Sequence, residues 1–221
     1  VETGYHPPVE EYLETIHALE EEGTPVIGAR IAERLGRSAP SVSEMLDRLA
    51  EEGYIARDGR VIRLTSDGER LATSVVRKHR LAERLLTDII GLEWHKVHDE
   101  AGRWEHVISA DVEERLIAIL GDPATCPHGN PIPGSKGQRV ADVVPLHTAS
   151  VGATVRLERI AESVEINRAA LRYLDEHHFI PGSAAQVKEK SADGWCTLNI
   201  KTNEFAIAPE LSGQLFVALV S

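Results

Sequence analysis

His79 and Glu83 stand four residues apart, so a helix through them shows an imidazole and a carboxylate on one face. His98, Glu105 and His106 follow at i, i+7 and i+8, which on a continuous helix lie at roughly 0°, 340° and 80°, again on one face. Glu11 and Glu14 are spaced i, i+3 near the start, in a stretch (residues 1–22) with seven acids and no Lys or Arg. Each residue has an ordinary reading alone, as a core histidine or a solvated acid. Together they put imidazoles and carboxylates on faces that must also bury apolar side chains. Burying such groups unpaired costs kcal/mol each, and one divalent cation would relieve several at once.

Composition limits the alternatives. The chain has 221 residues and a formal net charge of -11, so it lacks the overall basic footprint of many nucleic-acid binders. Two cysteines, Cys126 and Cys196, cannot build a disulfide framework. No apolar run reaches the roughly 18 residues of a membrane span. The opening residues show no cationic segment followed by an apolar one, which implies a cytoplasmic protein without a leader. There is no His-Glu-x-x-His, phosphate loop or Gly-x-Ser-x-Gly, so neither a catalytic residue nor an organic cofactor is expected.

The elements that position these residues can be read from periodicity. Val9, Leu13, Ile16 and Leu19 mark a helix from Val9 to Glu22 that Gly23 ends. Ile27, Ile31 and Leu35 mark a second. After the turn Gly36-Arg37-Ser38, a third begins near Ser38 with Pro40 in its first turn and an apolar stripe of Val42, Met45, Leu46 and Leu49. Two strand-like runs around Asp58-Gly59 then predict a hairpin. This order is that of a winged helix-turn-helix. The polar side of the third helix (Ser38, Ser41, Ser43, Glu44, Arg48), with Arg30 and Pro40, is expected to face DNA, and Arg57, Arg60 and Arg63 to anchor phosphates. Eight acids and eight arginines over residues 23–73 leave room for this despite the net charge.

Next, a long amphipathic helix is expected from about Ser66 to Ile90, a second from Trp94 to Ile108 and a third from Val112 to Leu120, a natural dimerisation unit for a palindromic operator. Cys126–Gly137, with three prolines and three glycines, reads as a linker, and the pair Cys126 and His128 within it as a weak chelator. Val155–Ile160, Trp195–Ile200, Phe205–Ile207 and Leu215–Val220 read as strands and Asn167–Glu176 as a helix, which suits a small barrel. The expected division is 1–73 (winged helix-turn-helix), 74–140 (helical metal-binding and dimerisation domain) and 141–221 (barrel): mainly α, then β.

Arg77–Leu92 (RKHRLAERLLTDIIGL), Lys96–His106 (KVHDEAGRWEH), Gly129–Gly134 (GNPIPG) and Ala29–Leu35 (ARIAERL) closely resemble the diphtheria toxin repressor family, the iron- and manganese-dependent repressors of bacteria. The resemblance is strong over about 9–134 and weaker over 150–221, where the family has a Src-homology-3-like barrel. It implies a homodimer that binds an operator, and two metal sites per subunit. One would use His79, Glu83 and His98, with Glu165 from the barrel; Arg168 stands where the family has an amide ligand, and an arginine cannot ligate a cation. The other would use Glu105 and His106. The family's iron sensors carry methionine at the position of Glu11 and cysteine at that of Gly102. Its manganese sensors carry acids at both, and another at that of Glu14. Gly102 offers only its carbonyl or room for water. The donor set favours Mn2+, with Fe2+ the alternative. Iron repressors of the family also carry glutamine at the position of Glu44. Outside this resemblance, a winged-helix sensor of a small organic ligand and a metal hydrolase built on His79, Glu83 and His98 are the rival readings.

Overall fold

The computed structural model describes residues 7–137 and 142–220, and its contacts divide the chain into two compact units. The first comprises Val1–His79 and Gly102–Glu113; the second comprises Arg80–Ala101 and Glu114–Ser221.

In the first unit, helix α1 (Pro7–Glu21) buries Val9, Tyr12, Leu13, Ile16 and Leu19, the expected stripe plus one aromatic. Helix α2 (Gly28–Leu35) ends at Gly36, whose φ of 61° puts it in the left-handed region that favours glycine. Helix α3 (Ala39–Glu51) starts from Ser38, whose side chain accepts from the Ser41 amide, with a proline in its first turn. Val42, Leu46 and Leu49 turn into the same core as α1, which leaves Ser41, Ser43, Glu44 and Arg48 exposed. Strands β1 (Ile55–Asp58) and β2 (Val61–Leu64) pair antiparallel with Asp58 opposite Val61, so the hairpin turns on Gly59-Arg60. The expected Asp58-Gly59 turn is thus one residue out of place, because Asp58 still pairs and Gly59 takes the left-handed φ of 61° at the first turn position.

Helix α4 (Ser66–Arg84) runs on as a π-helical stretch, Leu85–Ile90, that stops at Gly91 (φ 78°). The helix expected over Trp94–Ile108 is shorter. A 3-10 turn at Trp94–Lys96 leads into α5 (Val97–Trp104), and Glu105–Val107 form a turn beyond its end. The helical-wheel argument for His98, Glu105 and His106 therefore fails. They do not share a helical face, and His98 belongs to the second unit while the other two belong to the first. Helix α6 spans Ala110–Leu120.

The β-rich part of the second unit is one antiparallel sheet of six strands: β3 (Val144–Pro145), β4 (Thr154–Ile160), β5 (Ala184–Lys190), β6 (Cys196–Ile200), β7 (Asn203–Ile207) and β8 (Leu215–Val220). Their order is β3-β8-β4-β5-β6-β7, an open Src-homology-3-like sheet that does not close into a barrel. Short helices α7 (Glu162–Glu165), α8 (Arg168–Glu176) and α9 (Pro209–Ser212) join the strands. The inward residues of the strands, among them Val155, Leu157, Val187, Leu198 and Val217, form the core with Leu171, Leu174 and Phe179. β5 was not expected, because Gln186, Lys188 and Glu189 dilute its alternation.

The proline-rich stretch after α6 is not a linker where it is described. Cys126, Pro127, His128, Asn130 and Ile132 are buried. Arg84 donates to the carbonyls of Thr125 (2.7 Å) and Cys126 (3.2 Å), and Arg80 to that of Pro131 (2.5 Å). Trp94 Nε1 donates to the Pro127 carbonyl at 3.0 Å, and the Ile160 amide to that of His128 at 3.0 Å. Side chains of α4 and Trp94, with the last backbone amide of β4, thus do what a helix or sheet would do for backbone that cannot pair with itself.

Candidate metal centres and nucleic-acid interface

The first unit brings five polar side chains to one place. Glu10 and Glu14 come from α1, His79 from the last turn of α4 within this unit, and Glu105 and His106 from the turn after α5. The donor atoms of Glu14, His79 and Glu105 lie within 4.8 Å of one another. His79 Nδ1 donates to Glu105 Oε2, and His106 bridges Glu10 Oε2 (2.5 Å from Nδ1) and Glu105 Oε1 (3.1 Å from Nε2). Burial alone would raise the Glu105 carboxyl, but hydrogen bonds from His106 and His79 outweigh it and bring it down to about 2. Hydrogen bonds to Glu10 and Glu105 push His106 up to about 10. Three carboxylates and two imidazoles, with no sulfur, form a hard donor set that suits Mn2+ or Fe2+.

Glu11 is not drawn into this cluster. Its half-exposed carboxylate pairs with Arg37 Nη2 at 2.9 Å, and Glu10, one position earlier, takes the place nearest His106. Helical rotation explains the exchange, since adjacent residues point about 100° apart. Gly102 lies inside α5, with no atom within 4 Å of where a Cβ would stand.

A second cluster lies within the second unit. Glu83 (α4), His128, Glu165 (α7) and Cys126 are all fully buried, or within 2% of it, and their donor atoms lie within 4.8 Å of one another. His98 Nδ1 stands 3.3 Å from Glu83 Oε1 and 3.0 Å from Glu165 Oε2; His128 Nδ1 stands 3.0 and 3.2 Å from the same two oxygens. Asn130 donates to the other Glu165 oxygen and, at 2.9 Å, to the Ile160 carbonyl. Burial would raise the Glu165 carboxyl, yet the charge of His128 and hydrogen bonds from His128 and His98 hold it at about 2. Burial would lower His128, and the charges of Glu165 and Glu83 override that and lift it well above its usual value. Burial, with the same two carboxylates, pushes the Cys126 thiol up to about 12. Of the expected set, Glu83, His98 and Glu165 meet here, while His79 pairs with Glu105 in the other unit. Arg168 is exposed and paired with Asp99. Sequence reading ranked Cys126 and His128 low because of their proline-rich surroundings; two donors at i, i+2 were the signal.

The residues expected to face DNA, Arg30, Ser38, Pro40, Ser41, Ser43, Glu44, Arg48, Arg57 and Arg60, are all exposed in the first unit, and so is Arg63. Arg30, Arg48 and Arg57 hold surface ion pairs with Glu33, Glu52 and Asp47. A hollow of about 430 Å³ opens beside α3, lined by Ile27, Val42, Leu46, Arg57, Arg60 and Ile62 among others.

Comparison with known proteins decides what these features belong to. Residues 6–60 match the iron dependent repressor N-terminal DNA binding domain, 65–134 the iron dependent repressor metal binding and dimerisation domain, and 144–219 the FeoA domain. The chain is 42% identical over 211 residues to the iron-dependent repressor IdeR of Mycobacterium tuberculosis, covering 90% of this chain and 91% of that protein. The chain belongs to the iron-dependent repressor family. The diphtheria toxin repressor of Corynebacterium diphtheriae is 41% identical over 216 residues, covering 92% and 93%. Among solved structures, a manganese-dependent transcriptional repressor in complex with manganese superposes with a TM-score of 0.84 at 30% identity, covering 96% of this chain and all of that one. The iron-dependent repressor family consists of metal-dependent, DNA-binding transcriptional repressors, and the chain carries its DNA-binding, metal-binding and dimerisation parts. Among the described residues no helix is long and apolar enough to cross a membrane.

Proposed function

We propose that the chain is a cytoplasmic, manganese-activated repressor that binds a palindromic operator as a homodimer and performs no catalysis. The observation that supports this most directly is the sulfur-free cluster of Glu10, Glu14, His79, Glu105 and His106 in the unit that carries the winged helix. A cation there would supply positive charge where three carboxylates crowd together. Glu10 and Glu14 fix α1 to that point; His79 and the Glu105–His106 turn fix α4 and the end of α5. Helix α1 shares its core with α3, so holding α1 limits where α3 can stand. Recognition by two copies requires two such helices at a set spacing, and a cation that narrows the range of α1 raises the population with that spacing. Ile89, Ile90 and Ile119 in the second unit are 59%, 56% and 63% exposed, which supports a covering partner copy.

The test is operator binding titrated separately with Mn2+ and Fe2+ under anaerobic conditions, with chelator reversal. The expected result is retardation at lower Mn2+ than Fe2+, abolished by chelator. Retardation that chelator leaves unchanged would overturn the metal-dependent reading. Retardation driven as well by Fe2+ would overturn the preference for manganese.

A further inference from the structure

Where α2, α3 and the β1–β2 hairpin meet in the first unit, the sequence supplies side chains too small to fill the space. Gly28 and Ala29 open α2, Ala39 opens α3, and Gly59 stands in the hairpin turn. What remains is the hollow of about 430 Å³, within the range of roughly 300–1,000 Å³ that small-molecule sites occupy. We propose that this hollow binds a small amphipathic carboxylate, an organic acid with one anionic group on a compact apolar body, and that the bound acid competes with operator DNA. The competition rests on the reading that this face binds an operator; the site itself does not.

The floor is apolar and held open. Ile27, Val42, Leu46 and Ile62 line it, and the Ile62 amide donates to the Val26 carbonyl at 2.9 Å, which ties β2 to the segment before α2. The charge around it has one sign. Arg57 and Arg60 line the same hollow, and among the described residues no acid does. Arg57 Nη1 meets Asp47 at 2.8 Å in a pair whose side chains are 35% and 60% exposed, the kind that exchanges partners at little cost. Arg60 has no ion pair among the described residues. One guanidinium is therefore spare and a second can be released, which suits a single carboxylate, whose two oxygens match a guanidinium fork.

The combination selects the ligand class. A DNA phosphate would satisfy the arginines but has no apolar body to cover the floor. An apolar side chain of a partner protein would cover the floor and leave Arg60 bare. A carboxylate on an apolar body does both. Ser43 lines the hollow too, and with both arginines it belongs to the set expected to face DNA. An acid seated here thus occupies two phosphate anchors and part of the surface that the operator needs.

The experiment titrates the 15N-labelled full chain with 2-naphthoate and, in parallel, with neutral 2-naphthamide, followed by nuclear magnetic resonance. Naphthoate should shift the amides of Gly28, Ala29, Gly59 and Ile62 saturably, and naphthamide should bind about tenfold more weakly. Arg60→Gln should erase that difference by weakening naphthoate alone. Gly28→Leu should weaken both ligands, since φ there is not left-handed and a Cβ would stand 3.7 Å from Leu46 Cδ1, so the larger side chain takes up the hollow. Should that variant not fold, acid against amide in wild type and Arg60→Gln decides alone. Shifts centred elsewhere, no saturable binding at millimolar naphthoate, equal affinity for acid and amide, or a preference for the acid that survives Arg60→Gln would each overturn the proposal. On metal-loaded chain, naphthoate should reverse operator retardation at concentrations that fill the hollow, and folded Gly28→Leu should bind operator yet resist naphthoate. An operator complex undisturbed by bound acid would overturn the competition, and loss of operator binding in folded Gly28→Leu would mean that DNA itself uses the hollow, which overturns the proposal as well. Naphthoate that fills the hollow of a chain indifferent to operators would sink the repressor reading and leave the site standing; a metal-dependent repressor whose hollow takes no acid would sink the site alone.

Discussion

Gly129→Ala tests whether the Cys126–Asn130 turn is as tightly held as its hydrogen bonds indicate. Gly129 has φ +90°, and a Cβ there would fall 1.9 Å from the Glu158 carbonyl oxygen, 2.6 Å from Arg159 Cα and 2.8 Å from Arg159 Cβ. The obstacle is mostly backbone of β4, which cannot swing away as a side-chain tip could. The left-handed backbone costs an alanine about 1–2 kcal/mol. Relieving the overlap adds about 1–3 kcal/mol, as overpacking does elsewhere. It must also stretch the Ile160 amide to His128 carbonyl bond of 3.0 Å. A total of roughly 2–5 kcal/mol corresponds to a fall in thermal midpoint of about 4–20 °C for a chain of this size. Gly121→Ala is the control. Gly121 has φ +73° with nothing within 4 Å of its Cβ position, so only the conformational cost applies. Thermal unfolding of the two metal-free variants, followed by circular dichroism, gives the steric part by difference. Equal midpoints would refute the reasoning, because the turn would then have enough slack to move off β4. In that event the spacing of Cys126 and His128 around Glu83 and Glu165 would not be preset either.

Three further outcomes are expected. Glu10→Gln should weaken Mn2+ binding by about tenfold or more, while Glu11→Gln, which breaks an exposed pair with Arg37 worth at most about 1 kcal/mol, should leave it nearly unchanged; manganese electron paramagnetic resonance titration of both decides, and the opposite ranking would move the site to the other face of α1. Glu44→Gln should change which base is preferred at one position of each half-site, since glutamate accepts from a cytosine amine whereas glutamine pairs with adenine, a difference of about 1–3 kcal/mol; selection from a randomised operator pool reads it, and identical preferences would place Glu44 off the bases. Gly102→Cys has open space for its side chain and should raise the preference for Fe2+ or Co2+ over Mn2+ at the first cluster; a competition ratio equal to wild type would show that selectivity is set by the carboxylates.

What could be read from the residues alone, and what could not, follows from how far each signal reaches. Helices α1 to α3 were legible because local rules agree there: an apolar stripe at helical spacing, a serine cap, a proline in the first turn and glycines that stop the chain. Pairing His79 with Glu83 by spacing was sound for one helix. It said nothing about partners on other elements. The extension of α5 through Glu105 and His106 failed for a similar reason, since the wheel carried the helix two residues beyond the end of Val97–Trp104. The largest miss, Cys126 to Asn130, has no periodicity to detect. Its burial depends on Arg80 and Arg84 one turn apart on α4, on the indole of Trp94 and on Asn130, which together satisfy carbonyls that proline-rich backbone cannot pair for itself. A segment full of proline and glycine therefore reads as a linker only until the donors that can reach it are counted. Two arginines one turn apart, followed some forty residues later by Cys-Pro-His-Gly-Asn-Pro, are better taken as a backbone clamp.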